Sequence, residues 1–135
     1  MLVIGHRGAA GEKPENSLAA IKAGRRSGAD VLEFDVRLTR DGRPILAHDD
    51  NLRRTHGLDI SIHSLTLKEL QKRTAGSIAP ITTLEEVFND SLGRIMLNIE
   101  LKEKGTALAV LDVLHRDTYK AHIDKVFLSS FSSRE

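Results

Sequence analysis

A chain of 135 residues with a formal charge of +1 is one domain by length, long enough to bury a real core. The balanced charge excludes a nucleic-acid or polyanion binder, because no dominant basic field is present to drive one. With no cysteine, disulfide scaffolds, thiol nucleophiles and cysteine-bound metals are excluded as well.

Leu2 to Ile4 is a short apolar run without polar alternation, ending in Gly5-His6-Arg7-Gly8. It predicts a strand buried on both faces, typical of a parallel sheet. It does not read as a signal peptide, since no basic n-region, long apolar core or cleavage site accompanies it. A Gly-rich loop runs to Pro14. Asn16 or Ser17 can then cap a helix reaching about Ser27, which buries Leu18 and Ile21 and stops at Gly28.

The stretch from Asp30 to Asp49 holds the strongest signal. In an extended segment from Val31 to Thr39, Leu32, Phe34, Val36 and Leu38 share one face, and Glu33, Asp35 and Arg37 share the other. Two acids side by side repel unless something positive sits between them, and a divalent cation held by carboxylate oxygens is the usual answer. Asp41-Gly42 makes a turn into a strand from Ile45 to His48. A two-residue hairpin would set Asp35 opposite His48, and parallel strands would bring both to one rim; the two geometries stay open.

A polar loop with little periodicity follows to about Ser64. Thr66 with Glu69 predicts a capped helix through Lys72, and Thr83 with Glu86 repeats the signature for a helix carrying Leu84, Val87 and Phe88. Ile95 to Lys102 is a strand. Gly105 to Arg116 is a helix with Leu108, Leu111 and Leu114 on one face, and Val126 to Phe131 is the last strand. Strands alternating with helices predict an α/β protein with a largely parallel sheet. No apolar run reaches bilayer-spanning length, so the chain reads as soluble and cytoplasmic.

Four strand ends carry polar groups: His6-Arg7, Glu33 with Asp35, His48-Asp49-Asp50, and Asn98-Glu100-Lys102. Taken singly, each has an ordinary explanation: a satisfied core histidine, an edge strand neutralised by Arg37, a polar turn, an exposed strand face. Together they fit a functional rim better. Both faces of a central parallel strand are normally buried, and catalytic groups in α/β proteins gather at the carboxyl ends of strands. Metal-assisted, histidine-driven hydrolysis is the chemistry such a set suits. His56, His63, His115 and His122 read as solvated, Tyr119 and Phe127 as packing residues. Ser129, Ser130, Ser132 and Ser133 lack the G-x-S-x-G frame of a nucleophile.

The strings GHRGAAGEKPENS, EFDVRLTRDGRPILAHD, PITTLEEVF, NIELK and SSF, in that order and spacing, resemble the glycerophosphodiester phosphodiesterase family. The resemblance implies a (β/α)8 barrel of the TIM type. It implies hydrolysis of glycerophosphodiesters to glycerol 3-phosphate and an alcohol, with a divalent cation, Mg or Ca. By matching position, it makes His6 and His48 the acid–base pair and Glu33, Asp35 and Glu100 the metal ligands. Arg7 would contact phosphate, Lys102 would assist, and Asn16 would be a supporting residue on the substrate side. Water, or the substrate's own glycerol hydroxyl, would be the nucleophile.

A barrel of this type takes about 250 residues. Residues 1–135 therefore read as a single partial-barrel domain with five of eight strands. Three explanations compete: a truncated enzyme, a partial barrel closed by self-association or by another chain, and a noncatalytic remnant that binds metal or phosphoester. A phospholipase-type phosphodiesterase is the related alternative.

Overall fold

Alternation of apolar and charged side chains makes the stretch after Asp30 the spine of the sheet. The computed structural model describes residues 1–130. Its first half contains β1 (Ile4–His6), α1 (Leu18–Arg26), β2 (Val31–Leu38), β3 (Pro44–Leu46) and the single-turn helix α2 (Arg53–His56). Then come α3 (Leu67–Thr74), α4 (Leu84–Ser91), β4 (Met96–Leu101), α5 (Thr106–Leu114) and β5 (Val126–Ser130). Four strands lie parallel in the order β1-β2-β4-β5, and β3 runs antiparallel against the far end of β2. This is the α/β sheet expected, in the form of part of a barrel. No helix among the described residues is long and apolar enough to cross a membrane.

The apolar face of the sheet makes the core. Leu32, Phe34 and Val36 of β2 and Leu97 and Ile99 of β4 are fully buried. They pack with Ile21 of α1, with Leu84, Val87 and Phe88 of α4, and with Val110, Val113 and Leu114 of α5. Removing one of the larger of these side chains costs about 3–5 kcal/mol. A second cluster, Ile45, Leu52, Ile62, Leu67, Leu70 and Ile81, stabilises the excursion between β3 and α4. The caps form as expected: Ser17 accepts from the Ala20 amide, Thr66 from that of Glu69, and Thr83 with Glu86 completes a reciprocal box.

Several expectations change. The first strand is Ile4–His6, and Leu2, Val3 and Ile4 are exposed, because among the described residues β1 pairs with β2 alone and its outer edge is open. Leu108, 76 % exposed, and Leu111 face outward; α5 buries Thr106, Val110, Val113 and Leu114 instead. The apparently featureless loop after His48 holds α2 and a 3-10 turn at Ile62–Ser64, pinned by the buried Leu52 and Ile62. Tyr119 packs edge-on against Phe88, but Phe127 is 54 % exposed. Phe131, Ser132 and Ser133 lie outside the described residues.

The hairpin also differs from the two-residue form. Val36 faces Leu46 and Arg37 faces Ile45, so the connection spans residues 39–43 and the Asp35 carbonyl receives the Ala47 amide at 3.0 Å. Thr39 braces this loop by accepting from the Arg43 amide and donating to Asp41. The antiparallel arrangement holds, and His48 lies just beyond the strand.

Gly8 sets how closely the first loop can approach α1. Its φ is +77°, and a Cβ there would stand 2.6 Å from the Ala20 carbonyl carbon. Gly8→Ala should therefore cost at least about 2 kcal/mol in thermal denaturation, from strained backbone plus a collision with main chain. Gly11→Ala, whose added methyl would meet nothing within 4 Å, should be near neutral.

Candidate active site

Parallel pairing between β2 and β4 puts Asp35 beside Glu100 and Glu33 beside Asn98, while β1 sets His6 beside Glu33. The face opposite the core thus collects three carboxylates from two strands. Glu33, Asp35 and Glu100 each offer an oxygen, all within 4.8 Å of one another. Asp35 is wholly buried and Glu33 nearly so. Burial, with Asp35 and Glu100 close by, pushes the Glu33 carboxyl up to about 7. Burial raises Asp35 too, with Glu100 adding to it against the Asn16 hydrogen bond and Lys102. Burial also works against an ionised Glu100, but the Lys102 ammonium hydrogen-bonded to it brings that carboxyl down.

The cations that answer this charge are Arg7 and Lys102. Lys102 Nζ donates to Glu100 Oε1 at 3.0 Å and stands 3.6 Å from Asp35 Oδ1. Arg7 Nε lies 3.5 Å from Asp35 Oδ2, and the Arg7 amide donates to Glu33 Oε2 at 3.1 Å. Arg37, on the same face of β2, does not neutralise Glu33 and Asp35. It turns away, donating twice to the His48 carbonyl at 2.9 and 2.7 Å and pairing with Glu103. Asn16 is buried and spends both ends of its amide on Asp35, donating to Oδ2 at 2.9 Å and accepting from the backbone amide at 3.1 Å.

The two predicted histidines have different carboxylate partners. His6, largely exposed, has Nε2 3.5 Å from Glu33 Oε2. His48 Nδ1 lies 2.8 Å from Asp49 Oδ1. Hydrogen bonds from Arg54 and then His48 hold the Asp49 carboxyl down at about 2, so it is ionised at neutral pH. A carboxylate only accepts, so His48 Nδ1 carries a proton, and in the neutral ring the lone pair is then on Nε2.

Of the sequence-predicted residues, His6, Arg7 and Lys102 therefore meet the three acids directly, Asn16 bonds to Asp35, and His48 is tied to β2 through its carbonyl and Arg37. Sequence reasoning passed over Glu15, Arg54 and Glu103. Glu15 accepts from Arg7 NH1 at 2.7 Å and also from Arg54. Glu103 accepts from the Leu38 amide and pairs with Arg37 and His63, so His63 is engaged rather than simply solvated. Glu15 sits inside the PENS string and Glu103 directly follows NIELK, which is the signal that could have found them.

The donor set suits a hard cation. All three candidate ligands are carboxylates, and Glu33 Oε1 and Asp35 Oδ1 are buried with no hydrogen-bond partner among the described residues. Buried acceptor oxygens aimed at one another are unfavourable unless a cation joins them, and oxygen-only ligation is the preference of Mg and Ca ions.

The profile of the glycerophosphoryl diester phosphodiesterase family matches residues 6–135. A glycerophosphodiester phosphodiesterase of Caldanaerobacter subterraneus subsp. tengcongensis is 39% identical over 110 residues, covering 75% of this chain and 45% of that protein. The crystal structure of the glycerophosphodiester phosphodiesterase of Thermotoga maritima superposes with a TM-score of 0.85 at 38% identity, over 98% of this chain and 55% of that one. The Oleispira antarctica phosphodiesterase solved with its product sn-glycerol-3-phosphate gives 0.83 at 35% identity, over 98% and 58%. The chain spans about half the length of these proteins.

Because Glu33 titrates higher in the folded chain than the usual 4.5, the folded state holds a proton that the unfolded state has lost. Its contribution to stability is complete below about pH 4.5 and is lost as pH rises through about 7. The cation-free melting temperature should fall across that window, with Asp35 acting in the same direction. Glu33→Gln should flatten the decline, and millimolar Mg or Ca should restore the parent above pH 7 without restoring the variant. An unchanged pH profile in Glu33→Gln would refute this account.

Proposed function

The chain belongs to the glycerophosphoryl diester phosphodiesterase family, and on that premise we propose that it serves metal-dependent hydrolysis of glycerophosphodiesters to glycerol 3-phosphate and an alcohol. The convergence of Glu33, Asp35 and Glu100 beside His6, Arg7 and Lys102 carries this reading. We read residues 1–135 as a single barrel-type domain segment.

Glu33, Asp35 and Glu100 would hold a Mg or Ca ion, which when bound supplies charge against the phosphoryl oxygens. The remaining steps belong to the chain. A phosphodiester is an anion that repels nucleophiles, and the Arg7 guanidinium offsets its charge while fixing its orientation. Lys102 adds a second positive group on the β4 side. Asn16 acts at one remove: with its amide committed to Asp35, it sets the direction of that carboxylate. His48, open at Nε2, accepts or returns a proton on one side of phosphorus, and His6 does so on the other. Arg37, anchored by Glu103, grips the His48 carbonyl, so ring and backbone of that histidine are both restrained.

Exposed apolar side chains support a further proposed property. Leu2 and Val3, just before β1, and Ile4 at its start are exposed, as are Phe127 and Leu128 on β5. Open strand edges with apolar neighbours are templates for pairing, so the 135-residue chain alone should self-associate.

Glycerophosphocholine and glycerophosphoethanolamine are the substrates to offer, with glycerol 3-phosphate as the measured product. Activity should vanish with chelator and return with Mg or Ca. His48→Ala should lower the rate by about 10²–10⁴-fold with the melting temperature retained. Cation-dependent stabilisation without any hydrolysis would instead identify a binding module. For self-association, light scattering should give a mass above 14.9 kDa that grows with concentration; a monomer across the range would refute it.

A further inference from the structure

One side chain outside the set already assigned touches both halves of the site. Arg54 lies on α2, whose position is set by Leu52, buried in the second apolar cluster, and by the His56 ring bonded to the Ala79 carbonyl at 2.7 Å. From there the Arg54 guanidinium reaches in two directions. Nε and NH2 donate to Asp49 Oδ2 and Oδ1 at 3.0 and 3.1 Å, a two-point fork. NH2 also donates to Glu15 Oε1, while the other oxygen of Glu15 receives Arg7 NH1 at 2.7 Å. An unbroken line therefore runs from the His48 ring through Asp49, Arg54 and Glu15 to Arg7.

We infer that Arg54 is a positioning residue, one guanidinium that holds His48 in its Nδ1–H tautomer through Asp49 and orients Arg7 through Glu15. The inference rests on reading His48 as an acid–base group and Arg7 as a phosphate contact. The chemistry favours arginine at this point. A planar fork can satisfy both oxygens of Asp49 and still present an N–H to Glu15, which an ammonium on a flexible stem cannot do in one plane. Arg54 also lines a cavity of about 220 Å³ together with His48, Asp49 and His56. The space beside His48 is therefore open, and without the fork Asp49 and the imidazole would have room to turn. A solvated neutral histidine side chain favours the opposite tautomer, with the proton on Nε2, so a loosened His48 would spend much of its time with its working nitrogen blocked.

The arrangement also keeps two acids from competing for Arg7. Glu15 accepts from two guanidinium groups at once, which leaves Arg7 Nε directed at Asp35. With Arg54 gone, Glu15 would have Arg7 as its sole cationic partner among the contacts described and would draw it away from the acid cluster.

Ring-nitrogen NMR of the full 135-residue chain, labelled at histidine, tests this without requiring turnover. An inactive chain would therefore not be mistaken for a failed inference. The His48 signals are identified by their loss in His48→Gln. With its imidazole neutral, the parent should show the Nδ1–H form. Arg54→Gln should move His48 to a mixture dominated by Nε2–H, with His115 and His122 unchanged, and Arg54→Lys should lie between the two. Glu15→Gln keeps the Arg54–Asp49 fork but removes its second anchor, and it should move His48 in the same direction by less, although Glu15 bonds to neither His48 nor Asp49. If Arg54→Gln fails to fold, the Glu15→Gln spectrum decides. A lowered melting temperature with the parent's His48 tautomer would leave Arg54 a merely structural residue and overturn the inference, as would a Glu15→Gln spectrum identical to the parent.

Discussion

The parallel register between β2 and β4 is the constraint from which the rest follows. Once Phe34 and Ile99 are committed to the core, Asp35 and Glu100 must emerge side by side on the opposite face, with Glu33 one pleat away. Two ionised carboxylates at this separation repel by about 3–4 kcal/mol at an effective dielectric of 20, whereas a typical hydrogen bond contributes about 1 kcal/mol net. No ordinary set of polar contacts offsets three such groups. They need positive charge or a retained proton, and the chain uses both: Lys102 and Arg7 supply the charge, and the raised Glu33 carboxyl keeps the proton. A cation replacing that proton would relieve the repulsion more completely than either.

What the sequence revealed and what it concealed divide along the range of the interactions. Face-sharing of Glu33 with Asp35, and of Asn98 with Glu100, depends only on the two-residue period of a strand and was legible. So were the caps at Ser17, Thr66 and Thr83, because each is a contact within one turn. The partner of Arg37 was not legible. On β2 it shares a face with both acids, yet the five-residue connection after Leu38 brings the His48 carbonyl within its reach. The buried arc of α5 was equally hidden. That helix is apolar on nearly every side, and both Leu108-Leu111-Leu114 and Val110-Val113-Leu114 satisfy helical spacing; only the position of the sheet selects the second.

The same logic explains why Glu15 and Arg54 escaped notice. An exposed arginine in a polar segment has no local mark of function, since its meaning comes from Asp49 and a residue 39 positions earlier. The recognisable strings place His6, His48 and the three acids, but not the connections among them. The first loop and the segment after β3 meet through those connections, which link His48 to Arg7 through groups that no strand carries.

Backbone strain falls at the same place. Arg7 and Asn16 both have φ of +52°, in a region that side chains other than glycine seldom occupy. Such conformations cost about 1–3 kcal/mol each. The two strained residues are locked to each other, the Asn16 amide donating to the Arg7 carbonyl at 3.0 Å. Each then gains what a relaxed backbone would not provide: the Arg7 amide reaches Glu33, and both ends of the Asn16 side chain reach Asp35. An uncharged pair of contacts to Asp35 steers the carboxylate without cancelling its charge, which a second arginine at position 16 would do. The loop thus aims the acids through uncharged contacts from the Arg7 amide and Asn16, while the Arg7 guanidinium offsets part of their charge.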